Sequence, residues 1–197
     1  TQSQFDPIRI TDRLWIVPTW HTAPDADAIN LVLDPGMAFG TGSHPTTRLC
    51  LEWLTEVVTP GVSVLDYGCG SGILAIAAVK LGAGEVTGVD IDEKAVSTAA
   101  DNAANNGVSL HLQVSAKPLD GTFQRVVANI LTNPLKMLAP LLAARVAPGG
   151  KLALSGVLEA QAAEVIAAYA PYIALRVGDT QEGWVRLEGE HPEPAVP

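Results

Sequence analysis

Positive charge is scarce in this chain. Its 197 residues hold 12 Lys and Arg against 21 Asp and Glu, a formal net charge of −9. A surface of that sign repels phosphate backbones, so nucleic acid is disfavoured as a direct partner. A Lys-rich protein would instead be attracted. Cysteine is scarcer still. Cys50 and Cys69 stand alone, and two thiols make neither a disulfide framework nor a zinc site. Both read as reduced small hydrophobes in a cytoplasmic protein, and no metal is expected. No apolar run reaches the roughly 18–20 residues of a membrane span, so no membrane partner is expected. No charged segment followed by an apolar one opens the chain. Charged residues make up only 17%, which argues against a long disordered chain. What is present is 48% hydrophobic over a length that suits one domain, enough to bury a core.

No internal repeat is visible. Residues 1–28 read as a linker with one or two short strands within Ile8 to Val17. Residues 29–190 read as the main domain and 191–197 as a flexible tail. Ile29–Leu33 is a short apolar run. A loop rich in glycine and proline follows from Asp34 to Thr47, then a helix with an apolar stripe through Leu49, Trp53, Leu54 and Val57. From Val62 strands and helices alternate. Strands are expected at 62–66, 85–90, 110–114, 124–130 and 151–155. Helices are expected at 72–81, 93–105, 134–146 and 159–169. The strands 172–177 and 183–188 close the series as a hairpin. The alternation predicts a Rossmann-like α/β fold. Its sheet is mostly parallel and seven-stranded, with an antiparallel edge hairpin and helices on both faces. The run Val126-Val127-Ala128 suits a strand buried on both faces. In such sheets ligands bind beyond the carboxyl ends of the strands, at the switch in strand order.

Four motifs fall at that end. Val64 to Leu74 contains Asp66-Tyr67-Gly68-Cys69-Gly70-Ser71-Gly72, a strand, a glycine turn and a helix start. Glycines at 68, 70 and 72 let the backbone turn sharply and approach a ligand. The free N–H groups of the next helix favour a carboxylate, and Asp66 could hold an ammonium. A dinucleotide loop would need glycine at position 73, where Ile73 stands. The second motif is Gly88-Val89-Asp90-Ile91-Asp92. Asp90 ends its strand and can accept from both hydroxyls of a ribose, with Ile91 beside it. Asp92 reads as a helix cap. The third, Val126 to Pro134, carries Asn129, whose amide can accept from an amine and position it. Asn133 before Pro134 reads as a helix cap with proline at the first helical position. The fourth is the 34–47 loop. Phe39 could stack on a base, Thr46 and Thr47 could hydrogen-bond, and His44 reads best as a loop or capping residue.

The glycine loop resembles the S-adenosylmethionine (AdoMet) loop of class I methyltransferases more than a nicotinamide loop. Taken together, Leu33 to Thr47, Asp66 to Ala77 and Val127 to Leu131 resemble the PrmA family, methyltransferases of large-subunit ribosomal protein eleven. The resemblance runs from about Arg13 to Glu188 and is most specific in the 33–47 segment. It implies AdoMet-dependent methylation of lysine side chains and an α-amine on that ribosomal protein. Carried onto this sequence, it implies cofactor contacts at Thr47, Gly68, Asp90 and Asn129, with Phe39 and Gly40 against the cofactor. Members of that family carry a further N-terminal domain that recognises the substrate. Nothing in this chain corresponds to it, so a fragment is expected. Three other readings compete. They are a methyltransferase of another protein or a small molecule, a nicotinamide-dependent oxidoreductase, and a module that only holds AdoMet.

Overall fold

The computed structural model describes residues 6–33 and 44–193. The chain begins with a three-stranded sheet. β1 (Ile8–Thr11) and β2 (Leu14–Pro18) form an antiparallel hairpin, and β3 (Ile29–Leu33) runs parallel to β2. β3 therefore belongs to this small sheet and not to the large one. Asn106 fixes its position. Its side-chain oxygen accepts from Val32 N at 2.7 Å, and its amide nitrogen donates to Val32 O at 2.8 Å. One carboxamide thus substitutes for a neighbouring strand.

The remaining elements build the large sheet. They are α1 (Pro45–Val57), β4 (Val64–Tyr67), α2 (Ile73–Lys80), β5 (Val86–Asp90), α3 (Glu93–Asn105), β6 (His111–Val114) and β7 (Phe123–Asn129). After these come α4 (Thr132–Met137), α5 (Ala139–Ala144), β8 (Val146–Leu158), α6 (Ala162–Tyr169), β9 (Arg176–Gln181) and β10 (Trp184–Glu190). The strand order is β6-β5-β4-β7-β8-β10-β9. β6, β5, β4, β7 and β8 are parallel, and β10 is antiparallel to both neighbours. The strand that opposes the others is thus one in from the edge, and β9 occupies the edge itself. The chain leaves β4 toward one side and returns at β7 on the other. The order therefore reverses between β4 and β7, which opens a crevice at their carboxyl ends.

Alternation along β7 explains how one sheet carries two cores. Val127 packs with α1, α2 and the small sheet, while Val126 and Ala128 pack with α4, α5 and α6 on the opposite face. α2 is buried from Ile73 through Ala78, as an all-apolar helix must be.

Several boundaries differ from the sequence expectation: β9 covers Arg176–Gln181 and not 172–177, β8 runs on to Leu158, and the helix expected from 159 begins at Ala162 after a 3-10 turn. The helix expected over 134–146 starts at Thr132 and breaks at Leu138 into α4 and α5. Pro140 has no N–H to continue the first helix. Asn133 is therefore inside α4, and Leu131 precedes it as the cap. β8 starts at Val146, not 151, because Val146 already pairs with Phe123. His191, at the head of the expected tail, exchanges backbone hydrogen bonds with Gly149 and Gly150 at 3.0 Å each.

Candidate functional site

The crevice is built from strand ends. The turn after β4 folds onto β5: Gly68 N and Cys69 N both donate to Val89 O, at 2.7 and 2.9 Å. Gly68 has φ +80°, and a Cβ there would stand 2.5 Å from the Ile130 side chain. The turn closes on α2 through Gly72 N donating to Cys69 O at 2.8 Å. Asp90 then fastens the loop. One carboxylate oxygen accepts from Gly70 N at 2.9 Å and the other from Asp92 N at 3.0 Å. Each oxygen keeps a lone pair for a ligand. Asp92 caps α3 through Lys94 N, as the sequence suggested.

Two cavities meet at Gly68. The smaller, about 150 Å³, is lined by Thr47, Gly70, Ser71, Asn129 and the start of α2. The larger, about 510 Å³, is lined by Asp90, Ile91, Ser115, Tyr67 and the apolar Ile130, Leu131, Pro134 and Leu138. Ile91 is 86% exposed there. A large aliphatic group left in water at a cavity rim is a surface awaiting a flat apolar partner.

Gly68, Gly70, Thr47, Asp90, Ile91 and Asn129 are thus brought together. The Asn129 amide nitrogen donates to Thr47 Oγ1 at 3.4 Å, which joins β7 to α1. Three expected contacts fall elsewhere. Thr46 is buried behind the site. Its hydroxyl lies 2.8 Å from His44 Nδ1 and its carbonyl accepts from Ser155 Oγ at 3.0 Å. Gly72 is the αL residue that caps α2 and lines neither cavity. Asp66 is 1% exposed and also lines neither cavity. Its carboxylate accepts from Ala75 N at 3.2 Å beneath the loop, and its second oxygen is buried with no partner among the described residues. A direct contact from Asp66 to a ligand ammonium is not what this geometry offers. Burial, reinforced by the charge of Asp90, pushes its pKa up to about 7. Phe39 and Gly40 lie outside the described residues.

His44 caps α1, accepting from Thr46 N at 3.3 Å. A backbone N–H can only donate, so Nδ1 is the acceptor and the proton sits on Nε2. Ser115, Tyr67, Leu131 and Leu138 were not singled out in the sequence. Ser115 had a signal, since it follows β6 at the same end of the sheet as Asp90. Tyr67 had one too, as the last residue of β4 before Gly68, whereas Leu131 and Leu138 depend on how the β7–α4 turn folds back.

The family model for Ribosomal protein L11 methyltransferase (PrmA) matches residues 1–192. The chain belongs to the PrmA family. A curated PrmA-family relative from Dechloromonas aromatica, named ribosomal protein L11 methyltransferase, is 64% identical over 98% of this chain. The chain spans 65% of that relative's length. The crystal structure of a ribosomal protein L11 methylase from Lactobacillus delbrueckii subsp. bulgaricus superposes with a TM-score of 0.87 at 32% identity. It covers 96% of this chain and 99% of that one. A T. thermophilus 16S rRNA methyltransferase, solved with AdoMet and guanosine, shares the fold at a TM-score of 0.66 and 24% identity, over 75% of this chain and 43% of that one. The PrmA-family chain thus has a class I methyltransferase fold. Among the described residues no group of His, Cys, Asp or Glu could hold a metal, and no helix is long and apolar enough to cross a membrane.

Proposed function

We propose that this chain is the AdoMet-binding catalytic unit of a protein N-methyltransferase. Its substrates are lysine side chains and an α-amine of a large-subunit ribosomal protein, and it works in the cytoplasm. One observation carries the reading. Gly68 stands where a narrow cavity at the start of α2 meets a wider apolar one floored by Asp90. That shape suits an amino-acid moiety on one side and an adenosine on the other. Gly68 keeps that junction open: a Cβ there would collide with Ile130, which lines the wider cavity.

The cofactor supplies a methyl group on a sulfonium. The protein's residues bind and orient. The free N–H groups of α2 favour the amino-acid carboxylate. Asp90 accepts from ribose hydroxyls through the lone pairs not used by Gly70 and Asp92. Ile91 and Leu131 exclude water from the adenine. Asn129, anchored by its amide nitrogen to Thr47, turns its oxygen to accept from the incoming amine. A free lysine has a pKa of roughly 10.4. Burial beside a cation lowers it, so the amine enters neutral and water takes the proton. Holding donor and acceptor at near-attack distance then supplies most of the rate.

Calorimetry tests the core of this. AdoMet and S-adenosylhomocysteine should bind, and Asp90→Ala should weaken both by at least about tenfold, the worth of one charged hydrogen bond. Absence of binding to a chain that is folded by circular dichroism would refute the proposal. Methyl transfer from labelled AdoMet to the ribosomal protein, measured at saturating cofactor and lost in Asn129→Ala by far more than any loss of cofactor affinity, would identify the acceptor side.

A further inference from the structure

A third cavity, about 370 Å³, lies on the far side of the β7–α4 turn. It shares Leu131 and Pro134 with the wider cofactor cavity, so the two adjoin on either side of one turn. Its other walls include Thr132 on α4, Leu158 at the end of β8, and Trp184 at the start of β10. Gln161 closes it, from the 3-10 turn Glu159–Gln161.

The chemistry of this groove is set by the orientation of Gln161. Its side-chain oxygen accepts from Thr132 Oγ1 at 2.7 Å and from Leu158 N at 3.1 Å. A backbone N–H can only donate, so the atom facing it is the oxygen. Both lone pairs are then occupied. The NH₂ group, with two donors, has no partner among the described residues. A locked amide that presents only donors selects an acceptor, and the ordinary acceptor of an extended chain is a peptide carbonyl.

The apolar walls complete the match. Leu158 and Leu131 are 41% and 67% exposed, and Trp184 is partly exposed. The Trp184 ring is held from behind by His44, with ring centroids 5.3 Å apart at 64°. These surfaces suit the methylenes of a long side chain, and a net charge of −9 favours a cationic one. Gly156 also lines the groove, packed against the β7–α4 turn. Its φ of +91° and the Ile130 carbonyl against its Cβ position admit no side chain.

We infer that the groove between Gln161 and Trp184 is the acceptor-peptide subsite, with the Gln161 amide donating to a backbone carbonyl beside the target lysine. The inference rests on the proposed methyltransferase activity for its direction, but not for its test. Gln161→Glu keeps an oxygen for Thr132 and Leu158 and replaces the donors by an acceptor. The chain saturated with S-adenosylhomocysteine is titrated with N-acetyl-Gly-Lys-Gly-amide and, separately, with n-butylamine, which has no carbonyl. The side-chain amide resonance of Gln161 should shift with the peptide and stay in place with butylamine. In Gln161→Glu the added charge draws both amines alike, so the ratio of peptide to butylamine affinity should fall about 3- to 10-fold, the worth of one hydrogen bond, with cofactor affinity unchanged. An affinity ratio equal in both chains, or no shift at Gln161 at about 10 mM peptide, overturns the inference and leaves cofactor binding standing. A Gln161 response to a short oligoribonucleotide in place of the peptide also overturns it. Should S-adenosylhomocysteine fail to bind, the proposed function falls, and the same peptide titration on the ligand-free chain still decides the groove.

Discussion

Asp66 is the residue whose role changes most between sequence and structure. It stands at the head of the glycine loop, where a ligand contact was expected, yet its carboxylate is turned inward against Ala75 N. Its pKa, raised from the usual 3.8 to about 7, has a definite consequence for stability. Between pH 4 and 7 the unfolded chain has lost this proton while the folded chain retains it. The folded state then binds more protons, so stability falls as pH rises through that window, by at most about 1.4 kcal/mol per unit. Above pH 7 both states are ionised and the slope vanishes. Asp66→Asn cannot ionise. Its stability relative to the parent should therefore climb from pH 4 to pH 7 and level off. Melting curves at four pH values check this, and parallel curves for the two chains would show that Asp66 is already ionised below pH 5. Gly68 makes the complementary case. Gly68→Ala forces φ +80° on a residue with a Cβ and drives that Cβ into Ile130. A cost of about 1–3 kcal/mol is expected, together with loss of S-adenosylhomocysteine affinity, because Ile130 lines the wider cavity.

Among elements, β8 does most to connect the site to the core. Ser155, fully buried, donates to the Thr46 carbonyl at 3.0 Å, so β8 holds the first turn of α1 and with it Thr47. Ser155→Ala removes that tie and leaves the Thr46 carbonyl only its bond within α1. It should lower the unfolding free energy by about 1–2 kcal/mol at unchanged denaturant slope, with Thr47 and Asn129 separating enough to weaken cofactor binding. Elements of this kind were legible in the sequence wherever one period dominated. The apolar run of β7 and the Ala-rich α2 fell where expected. So did the caps at Asp92 and His44, because each depends on residues a few positions apart. The break at Leu138 was less legible, since its cause, Pro140, sits inside an otherwise periodic helix. The strand start at Val146 needed Phe123 as a partner, which no local pattern supplies. The same reason hid Gln161 and Trp184, and left Ser115 only its place after β6 as a signal. They become site residues only when strands distant in sequence end side by side.

At the scale of the whole molecule, two sheets must stay in register for the site to exist. The link between them is narrow in polar terms. Asn106, at the end of α3, makes two hydrogen bonds to the backbone of Val32, and Lys80 Nζ donates to Asn30 O at 2.8 Å. Apolar packing from Ile10, Leu14, Ile16, Leu31 and Leu33 does the rest. Asn106→Ala removes both bonds and leaves Val32 N and O unpaired in a partly buried position. It should cost about 1–3 kcal/mol. Hydrogen exchange should accelerate in β2 and β3 while β4 and β7 stay protected. If the small sheet supports the cofactor site, S-adenosylhomocysteine affinity should fall with it, although Asn106 lines neither cavity. Faster exchange in β3 at unchanged affinity would mean that the large sheet alone, through Gly68 and Asp90, makes the cofactor site, and that the small sheet serves stability only.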